Sequence, residues 1–314
     1  MTHGSSSFPS ASVVVPTFNR LSDLRRVVAA VTEQISVLDS RCELVIVNDG
    51  STDGTGEWIE ANASDLGIAL VQQANAGPAR ARNRGVAATS GEIVLFLGDD
   101  TVPADRWLIE HLEAHRVTGG AGGVAVLGYT AFPPVWDSPF LRWINEYGAQ
   151  FGYALIDDPV NVPFNFFYTS NISLPRTVFE DLGGFREDFP AAAWEDIEFA
   201  YRAVGSKLRL VYVPRARTIH HHRIGVRSFG RRQQTSGLSA AIFSRLHPEL
   251  EAFLGVGCVN RLNWRVRLER PFLAAWIRLG ETIPGLVSDK EYRRLLDGYY
   301  LQGLGAGLDN PGTT

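Results

Sequence analysis

Short apolar runs alternate with amphipathic segments through the first third of the chain. The runs are rich in Val, Ile and Leu, and they read SVVVP, ELVIVN, IALVQ and EIVLFL. Between them, apolar positions recur at helical spacing, as in residues 22–38 and in residues 104–116. Apolar strands that alternate with helices are typical of βαβ units. The pattern therefore predicts an α/β domain with a mainly parallel sheet that helices cover on both faces.

Polar side chains follow each predicted strand at the point where it ends. These residues are Asn19, Asn48, Asp49, Asn75, Asp99 and Asp100. Ligands of open α/β sheets bind outside the carboxyl ends of the strands. We therefore expect these polar ends to form one rim and to contain the functional site.

Two adjacent carboxylates, Asp99 and Asp100, end the fourth run in the sequence IVLFLGDDTVP. One interpretation is a surface turn, because Gly and Asp are ordinary turn residues. The other is a cation site, because a positive ion relieves the repulsion between neighbouring carboxylates. The polar ends of three neighbouring strands favour the cation site.

The later parts of the chain show weaker periodicity. Residues 132–175 are dense in Pro and aromatic residues, which indicates either ordinary core packing or an acceptor pocket whose rings stack on a sugar. After them, TVFEDLGGF and WEDIEFAYRAVG predict helices and KLRLVYVP predicts a strand. The remainder, from residue 237, has a mostly helical pattern and predicts a C-terminal helical extension.

Composition narrows the class of protein. The chain has 314 residues, 45% hydrophobic and 20% charged, which suits one large globular domain with an extension. The net charge of −4 argues against a nucleic-acid partner. The two cysteines, Cys42 and Cys258, form no metal-binding motif and suit a reducing compartment. With no signal-peptide pattern and no apolar run long enough to span a bilayer, we expect a cytoplasmic protein.

Five sequence blocks, in order, resemble the family 2 glycosyltransferases. The blocks are VVVPTFNR, VNDGSTDGT, NAGPARARNRG, FLGDD, and NISLPRTVFEDLGGFREDF followed by WEDIEFAYR. The resemblance implies the GT-A fold, a Rossmann-like sheet flanked by helices, over residues 12–236. Within it, residues 12–118 are expected to bind the nucleotide and residues 119–236 the acceptor. We expect residues 1–11 to be disordered and residues 237–314 to form the helical extension.

The resemblance also implies a reaction. It predicts an inverting transfer of a sugar from a UDP- or dTDP-linked nucleotide sugar to a hydroxyl of a glycan or lipid-linked acceptor, as in polysaccharide biosynthesis. A Mg²⁺ or Mn²⁺ ion on the diphosphate is implied, with Asp100 as a ligand and His220 as a further ligand or a contact of the diphosphate. Asp196 is implied as the general base, and Glu195 as its orienting neighbour or substitute. For this acidic pair, stabilisation of a helix N-terminus is the alternative.

The resemblance places the nucleotide against one further set of residues. They are Pro16, Thr17, Phe18, Asn19, Asp49, Gly77, Arg80, Arg82, Asn83 and Asp99. Asp49 is implied to accept a hydrogen bond from the base, with an Asx turn as its alternative. Of the arginines, Arg82 is favoured, because it holds the position of the family's A-R-N motif and alternating residues cannot all face one way.

Gly98 is the departure from the family pattern. The family has the first Asp of its D-x-D motif there, whereas Asp100 keeps the place of the last. The substitution puts the ribose contact and the metal affinity in question. From the sequence, we expect Gly98→Asp to leave the fold unchanged and to tighten metal-dependent nucleotide binding.

Residues 199–248 contain no Asp or Glu but ten Lys or Arg, with His220, His221 and His222 at the centre. In an acidic chain, this segregation predicts a local anion-binding surface. His222 is the second candidate for the role implied for His220. Further on, RLNWRVRLERPFLAAW interleaves Arg with aromatic residues. It predicts either peripheral association with a membrane surface or a helix whose Arg stems cover the domain.

Other functional classes fit the sequence less well. A sugar nucleotidyltransferase should have a G-x-G-T-R-like loop after the first strand, and a Rossmann dehydrogenase should have G-x-G-x-x-G there. The chain has PTFNRLSD instead. A nucleotide-sugar-binding module without catalysis would account for Gly98. The presence of Asp100, Asp196 and His220 together argues for an enzyme.

Overall fold

The computed structural model describes residues 8–38, 41–118, 123–189, 191, 193–261, 264–280, 282, 283 and 285–310, without the side chains of residues 260, 261 and 264–270. Of the predicted disordered N-terminus, residues 1–7 lie outside this description. Ala11 already belongs to a strand, where it pairs with Cys42 and Ile93. The ordered domain therefore begins before the predicted boundary at residue 12.

The chain forms two compact units. The first comprises residues 1–133, 156–186 and 196–222, and the second comprises residues 134–155, 187–195 and 223–314. The predicted boundary between residues 236 and 237 falls inside a helix that runs from Val226 to Leu246. That boundary was wrong because the start of this helix and residues 134–155 belong with the C-terminal helices.

The first unit contains an eight-stranded mixed sheet. Its strands are β1 (Ala11–Thr17), β2 (Cys42–Asn48), β3 (Ile68–Gln72), β4 (Ile93–Leu97), β5 (Thr101–Pro103), β6 (Val124–Ala131), β7 (Asn171–Pro175) and β8 (Arg209–His220), in the order β3-β2-β1-β4-β7-β6-β8-β5. The first four strands of this order are parallel, as predicted. Strand β7 is antiparallel to both of its neighbours, and β8 is parallel to β6 and antiparallel to β5.

Helices complete both units. They are α1 (Leu21–Ser36), α2 (Thr55–Leu66), α3 (Pro78–Ala87), α4 (Trp107–Val117), α5 (Pro139–Glu146), α6 (Arg176–Asp181), α7 (Glu195–Gly205), α8 (Val226–Leu246), α9 (Glu251–Leu254), α10 (Trp264–Gly280) and α11 (Asp289–Asp309). Helices α5 and α8 to α11 lie in the second unit, so the predicted helical tail is confirmed for its described residues. None of the described helices is long and apolar enough to cross a bilayer.

The apolar pattern explains the core of the first unit. Every residue of β4 is buried, as expected for a strand that is covered on both faces. Helix α1 buries Leu24, Val27, Val28 and Val31, which recur at helical spacing on one side of the helix. The alternation of strands and helices therefore predicted the parallel half of the sheet correctly.

Strand β8 is longer than the sequence predicted. It continues through Pro214 to His220, and its register against β6 shifts between Gly128 and Tyr129. Beyond this irregularity, β8 pairs with β5 so that Thr101 lies opposite His220. This pairing brings the histidine segment to the end of β4.

The aromatic stretch is mainly core. Phe140 and Trp143 of α5 pack on Tyr292 of α11 in the second unit, with ring centroids 5.4 and 5.3 Å apart. Phe151 and Tyr153 of the same unit are buried and stacked on each other. For these rings the structure favours core packing over an acceptor pocket.

Candidate functional site

The carboxylates of Asp99 and Asp100 lie at the C-terminal end of β4, as the rim prediction requires. The Thr17 hydroxyl donates to Asp99 Oδ2 over 2.8 Å. Asp100 Oδ1 lies 3.3 Å from His220 Nε2, because β5 and β8 pair at this point. The structure thus brings together the two residues predicted as cation ligands.

Electrostatics separates the two aspartates. Burial and the neighbouring Asp100 carboxylate raise the pKa of Asp99 to about 7, against the opposing charge of Arg20. Burial also favours the neutral form of Asp100. The hydrogen bond and charge of His220, together with Arg20, outweigh it and hold the pKa of Asp100 well below its ordinary range. Asp100 is therefore the ionised member of the pair and the better cation ligand.

The residues at this position fit a hard divalent cation that the substrate helps to bind. Among the described residues, no group of three or more His, Cys, Asp and Glu side chains could hold a metal alone. Asp100 and His220 offer two adjacent ligands. Mg²⁺ is ordinarily bound by one or two carboxylates plus substrate phosphates, so the remaining positions suit a diphosphate and water.

Gly98 occupies a tighter position than the sequence indicated. A Cβ atom there would lie 2.7 Å from the Thr101 Oγ1 and 3.3 Å from Asp100 Oδ1. Thr101 is fully buried, and its hydroxyl is 3.2 Å from Asp100 Oδ1. An Asp at position 98 must therefore displace Thr101 and disturb Asp100. This steric contact argues against the expectation that Gly98→Asp leaves the fold unchanged and tightens metal-dependent nucleotide binding, which stays a prediction.

The three consecutive histidines have different surroundings. His220 is buried, and its ring packs on Phe132 with centroids 5.5 Å apart. His222 is exposed, with Nδ1 3.9 Å from Asp100 Oδ2. His221 faces Arg26, whose Nη1 is 3.2 Å from its Nδ1, and burial and this charge lower the pKa of His221. The rings of His220 and His222 therefore lie within 4 Å of the Asp100 carboxylate, with His220 the nearer.

Asp49 holds the loop after β3. Its Oδ1 accepts hydrogen bonds from Gln73 Nε2 and the Ala76 N–H, and its Oδ2 accepts from the Gly77 N–H over 3.0 Å. The turn proposed as its alternative role is made by Asn48 instead, whose Oδ1 accepts from the Ser51 N–H. A carboxylate has about four acceptor positions, so Asp49 retains capacity for a base N–H.

The residues predicted at the end of β1 are in place beside this loop. Pro16 and Thr17 are the last residues of β1, and Asn19 Oδ1 accepts from the Thr52 N–H over 2.7 Å. Phe18 is 45% exposed. An open aromatic face next to Asp49 suits stacking on a flat base.

The predicted residues of helix α3 point in different directions, as expected for arginines at alternating positions of a helix. Arg82 is buried with its guanidinium 5.7 Å from the centre of the Phe185 ring, whereas Arg80 is exposed. Asn83 donates to the Phe185 carbonyl and accepts from the Phe185 N–H. Asn83 therefore ties α3 to the GGF turn, and its contact with a nucleotide stays a prediction.

Asp196 lies at the start of α7 and contacts the turn that precedes β7, the strand next to β4. Its Oδ2 is 3.3 Å from both the backbone nitrogen and the hydroxyl of Thr169. The neighbouring Ser170 carbonyl accepts from the Gly98 N–H. This short path places Asp196 near the carboxylate pair. Glu195 is buried and belongs to the second unit.

Part of the basic stretch has internal partners. Arg202 donates to Glu198, to the Leu182 carbonyl and to the Gly184 carbonyl, so it holds the GGF turn. Residues 223–248 belong to the second unit, and those before them to the first. The prediction of a single anion-binding surface was wrong for Arg202, because its partners are internal.

Sequence reasoning missed a buried polar network behind the site. The Asn171 amide accepts from Trp107 Nε1 and contacts His111 Nε2, and it donates to the Ala216 carbonyl over 2.9 Å. Ser173 contacts both His111 and His115 of α4. This network fixes β8 at its irregularity. The signal available in the sequence was the pair of histidines at i and i+4 on an otherwise ordinary helix.

Comparison with known proteins agrees with this geometry. Residues 12–183 match the sequence profile described as Glycosyl transferase family 2. Validoxylamine A glucosyltransferase of Streptomyces hygroscopicus subsp. jinggangensis is 29% identical, over 88% of this chain and 70% of that protein. Pre-mycofactocin glycosyltransferase of Mycobacterium tuberculosis is 28% identical, over 82% of this chain. The chain spans 52% of the length of that second relative.

Solved structures share the fold. The mannosyltransferase PcManGT of Pyrobaculum calidifontis, in complex with GDP-Man and Mn²⁺, matches 98% of this chain and 89% of its own with a TM-score of 0.63 and 22% identity. S. aureus TarS in complex with UDP-GlcNAc matches 96% of this chain and 91% of its own with a TM-score of 0.54 and 16% identity. Since the family profile covers more than half of the sequence and the sheet is that of GT-A enzymes, the chain belongs to glycosyltransferase family 2.

Proposed function

We propose that this protein is an inverting glycosyltransferase that moves a sugar from a nucleoside-diphosphate sugar to an acceptor hydroxyl. The observation that carries the proposal is the placement, within one unit, of the Asp100–His220 pair and Asp196. The Asp100–His220 pair would hold the cation that stabilises the departing diphosphate, and Asp196 would take the acceptor's proton. Transfer from a nucleotide sugar needs both functions.

Each of these residues has a separate task. Asp196 accepts the proton of the attacking hydroxyl, and its contacts with Thr169 fix the orientation of the carboxylate. Asp100 and His220 would hold Mg²⁺ or Mn²⁺, which when bound stabilises the charge of the leaving diphosphate. Glu195 is proposed as a supporting residue before Asp196.

The nucleotide is proposed to lie between Phe18 and Asp49. The exposed Phe18 ring offers a stacking surface, and the remaining acceptor position of Asp49 suits the N–H of a uracil or thymine base. This favours a UDP- or dTDP-linked sugar. Thr17, Asn19, Gly77, Arg80, Arg82, Asn83 and Asp99 complete the proposed nucleotide-binding set.

The test is a panel of UDP-, dTDP- and GDP-linked sugars, each incubated with the protein and Mn²⁺. Slow release of a nucleoside diphosphate, and thermal stabilisation by the same nucleotide sugar, are expected. Asp196→Asn should lower transfer by about 10²–10⁴-fold with nucleotide affinity nearly unchanged. Asp181→Asn, on the exposed end of α6, is the matched control. Absence of binding and release with every sugar nucleotide would contradict the proposal.

The acceptor is proposed to be a glycan or a lipid-linked molecule. Helix α10 exposes three apolar side chains at helical spacing, Phe272 (78%), Trp276 (42%) and Leu279 (48%). The sequence of the same helix contains Arg265, Arg267 and Arg270. Apolar residues with nearby arginines suit peripheral contact with an anionic lipid surface.

Vesicle co-sedimentation tests this part of the proposal. Wild-type protein should pellet with vesicles containing phosphatidylglycerol and not with neutral vesicles. The double change Phe272→Ser and Trp276→Ser should abolish pelleting, whereas Val135→Ser, at another exposed apolar residue, should not. Equal pelleting of all three proteins would refute the lipid contact.

A further inference from the structure

Arg20 contacts both carboxylates of the site that is proposed to bind a cation. It lies between the end of β1 and the start of α1, and its Nη1 forms an ion pair with Asp100 Oδ2. Its Nε is 3.7 Å from Asp99 Oδ1. The same Nη1 is 3.2 Å from His222 Nδ1. One guanidinium therefore spans the residues that face the predicted metal position.

The charge of Arg20 compensates the carboxylate pair. Asp99 and Asp100 are adjacent and largely buried, with side chains only 13% and 12% exposed. Two such carboxylates repel each other unless a positive charge is near. Arg20 is charged at every physiological pH, whereas His220 and His222 carry charge only when protonated.

Both carboxylate oxygens of Asp100 already have partners. Arg20 occupies Oδ2, while His220 Nε2 and the Thr101 hydroxyl both approach Oδ1. A divalent ion that binds Asp100 needs one of these oxygens and would lie close to the guanidinium. Like charges at that separation, in a partly buried site, repel strongly. Arg20 and a cation therefore compete for Asp100 Oδ2.

We propose that, in the free protein, the Arg20 guanidinium supplies the positive charge that the metal cation would supply beside Asp100. Arg20 then leaves Asp100 Oδ2 when the cation and diphosphate bind. The inference rests on the proposed function. In the released position, the planar guanidinium can donate two parallel hydrogen bonds to a diphosphate, as arginine commonly does. Arg20 thus weakens cation binding to the empty protein and strengthens binding of the cation together with a diphosphate.

The experiment is equilibrium Mn²⁺ titration, with free Mn²⁺ measured by electron paramagnetic resonance. Arg20→Gln should bind Mn²⁺ about 5- to 20-fold more tightly than wild type when no other ligand is present, within the usual range of coupling between sites. With saturating inorganic pyrophosphate as the diphosphate probe, wild type should gain affinity for Mn²⁺ and Arg20→Gln should gain several-fold less. Asp100→Asn should abolish this binding and identify the site.

Arg26→Gln is the matched control. It removes the same charge from α1, but Arg26 contacts Asp23 and His221 and neither carboxylate of the pair. Its Mn²⁺ affinity should stay within twofold of wild type. An equal gain in Arg26→Gln would mean that only net charge matters, which overturns the proposal.

Thermal unfolding provides a second readout. In EDTA, Arg20→Gln should melt below wild type because the carboxylate pair loses its counter-charge, and Mn²⁺ should restore more stability to this variant than to wild type. Arg20→Lys keeps the charge and serves if the Gln variant does not fold. It should bind Mn²⁺ as wild type does but show a smaller gain with pyrophosphate.

Two results would overturn the inference: Mn²⁺ affinity in Arg20→Gln that is equal to or below wild type, or binding that is unaffected by Asp100→Asn. Neither measurement requires a sugar nucleotide, an acceptor or turnover. If Arg20→Gln does not bind Mn²⁺ more tightly but the protein transfers sugar, only the role of Arg20 is refuted. If Arg20→Gln binds Mn²⁺ more tightly but the protein transfers no sugar, only the proposed reaction is refuted.

Discussion

Two histidine sites, His220 at the end of β8 as the first group and His111 with His115 on α4 as the second, differ in the side chains that surround them. His220 ends β8 beside Asp100 and Arg20, in a site with two carboxylates and partial access to solvent. His111 and His115 are sealed beneath β7, bound to Asn171 and Ser173. His220 therefore lies among charged side chains, whereas His111 and His115 lie among neutral hydrogen-bonding groups.

The difference shows how one residue type serves binding or folding. Burial without a countercharge lowers the pKa of His111 to about 4 and that of His115 to about 3. Both rings are therefore neutral at pH 7, and they bind neighbours on β7 through fixed hydrogen bonds. At His220 the neighbour is an ionised carboxylate whose oxygens can exchange partners. The comparison predicts that changes at the first group affect ligand binding and changes at the second affect stability.

The largest expected effect is on transfer, from Asp100→Asn. Loss of the charged ligand should lower sugar transfer by roughly 10³-fold, because several kcal/mol of charge stabilisation are lost. The free energy of unfolding should change by less than about 1 kcal/mol, since Asn can still bond to His220. Transfer assays and urea unfolding check the two parts. A stability loss as large as that of the next variant would erase the distinction between the groups.

Asn171→Leu should have the opposite profile. It leaves buried polar groups of Trp107, His111 and Ala216 without their Asn171 partner, and the free energy of unfolding should fall by about 3 kcal/mol. Asn62→Leu, which removes one bond to the Trp58 carbonyl on α2, should cost less than about 1 kcal/mol. Urea unfolding measures both free energies. Similar losses would show that the buried network stabilises the fold no more than a single side-chain hydrogen bond does.

Acid should act through the sealed histidines. Because their pKa values are lower in the folded protein, the unfolded chain takes up their protons first, and stability falls as the pH drops below about 6.5 toward 4. The slope should approach about 1.4 kcal/mol per pH unit for each histidine. Between pH 7 and pH 5.5 the two histidines should contribute a loss of about 2 kcal/mol, which protonation of Asp99, whose pKa is raised to about 7, partly offsets in urea unfolding of the wild type. His115→Gln should reduce that loss, and an unchanged slope would contradict this origin.

Gly98→Asp should give the smallest effect and sharpens the description of the cation site. Displacement of Thr101 should weaken Mn²⁺ binding a few-fold, at a cost of about 1 kcal/mol. Gly205→Asp is the control, because a Cβ atom there meets no neighbour within 4 Å. Tighter Mn²⁺ binding in Gly98→Asp would restore the expectation drawn from the family motif.

Much of the first unit could be predicted from periodicity. Strands β1 to β4 and helix α1 follow directly from their apolar spacing, because each buries one continuous stripe or run. Strands β5 to β7 were missed. Strand β5 has only three residues, and β6 and β7 lie outside the regular strand–helix alternation of the first third of the chain. The unit boundary was missed because no composition change accompanies it at residue 223.

The sequence by itself determined the family, the parallel strands and the residue types at their ends, because these depend on local patterns and on the order of motifs. Only the tertiary structure decided which polar groups meet. The shift of β8 register at Gly128 brings His220 to Asp100. The direction of the Arg20 side chain places its guanidinium beside both aspartates. Such contacts join residues that are 80 to 120 positions apart. They follow from strand pairing and packing, which no short stretch of sequence encodes.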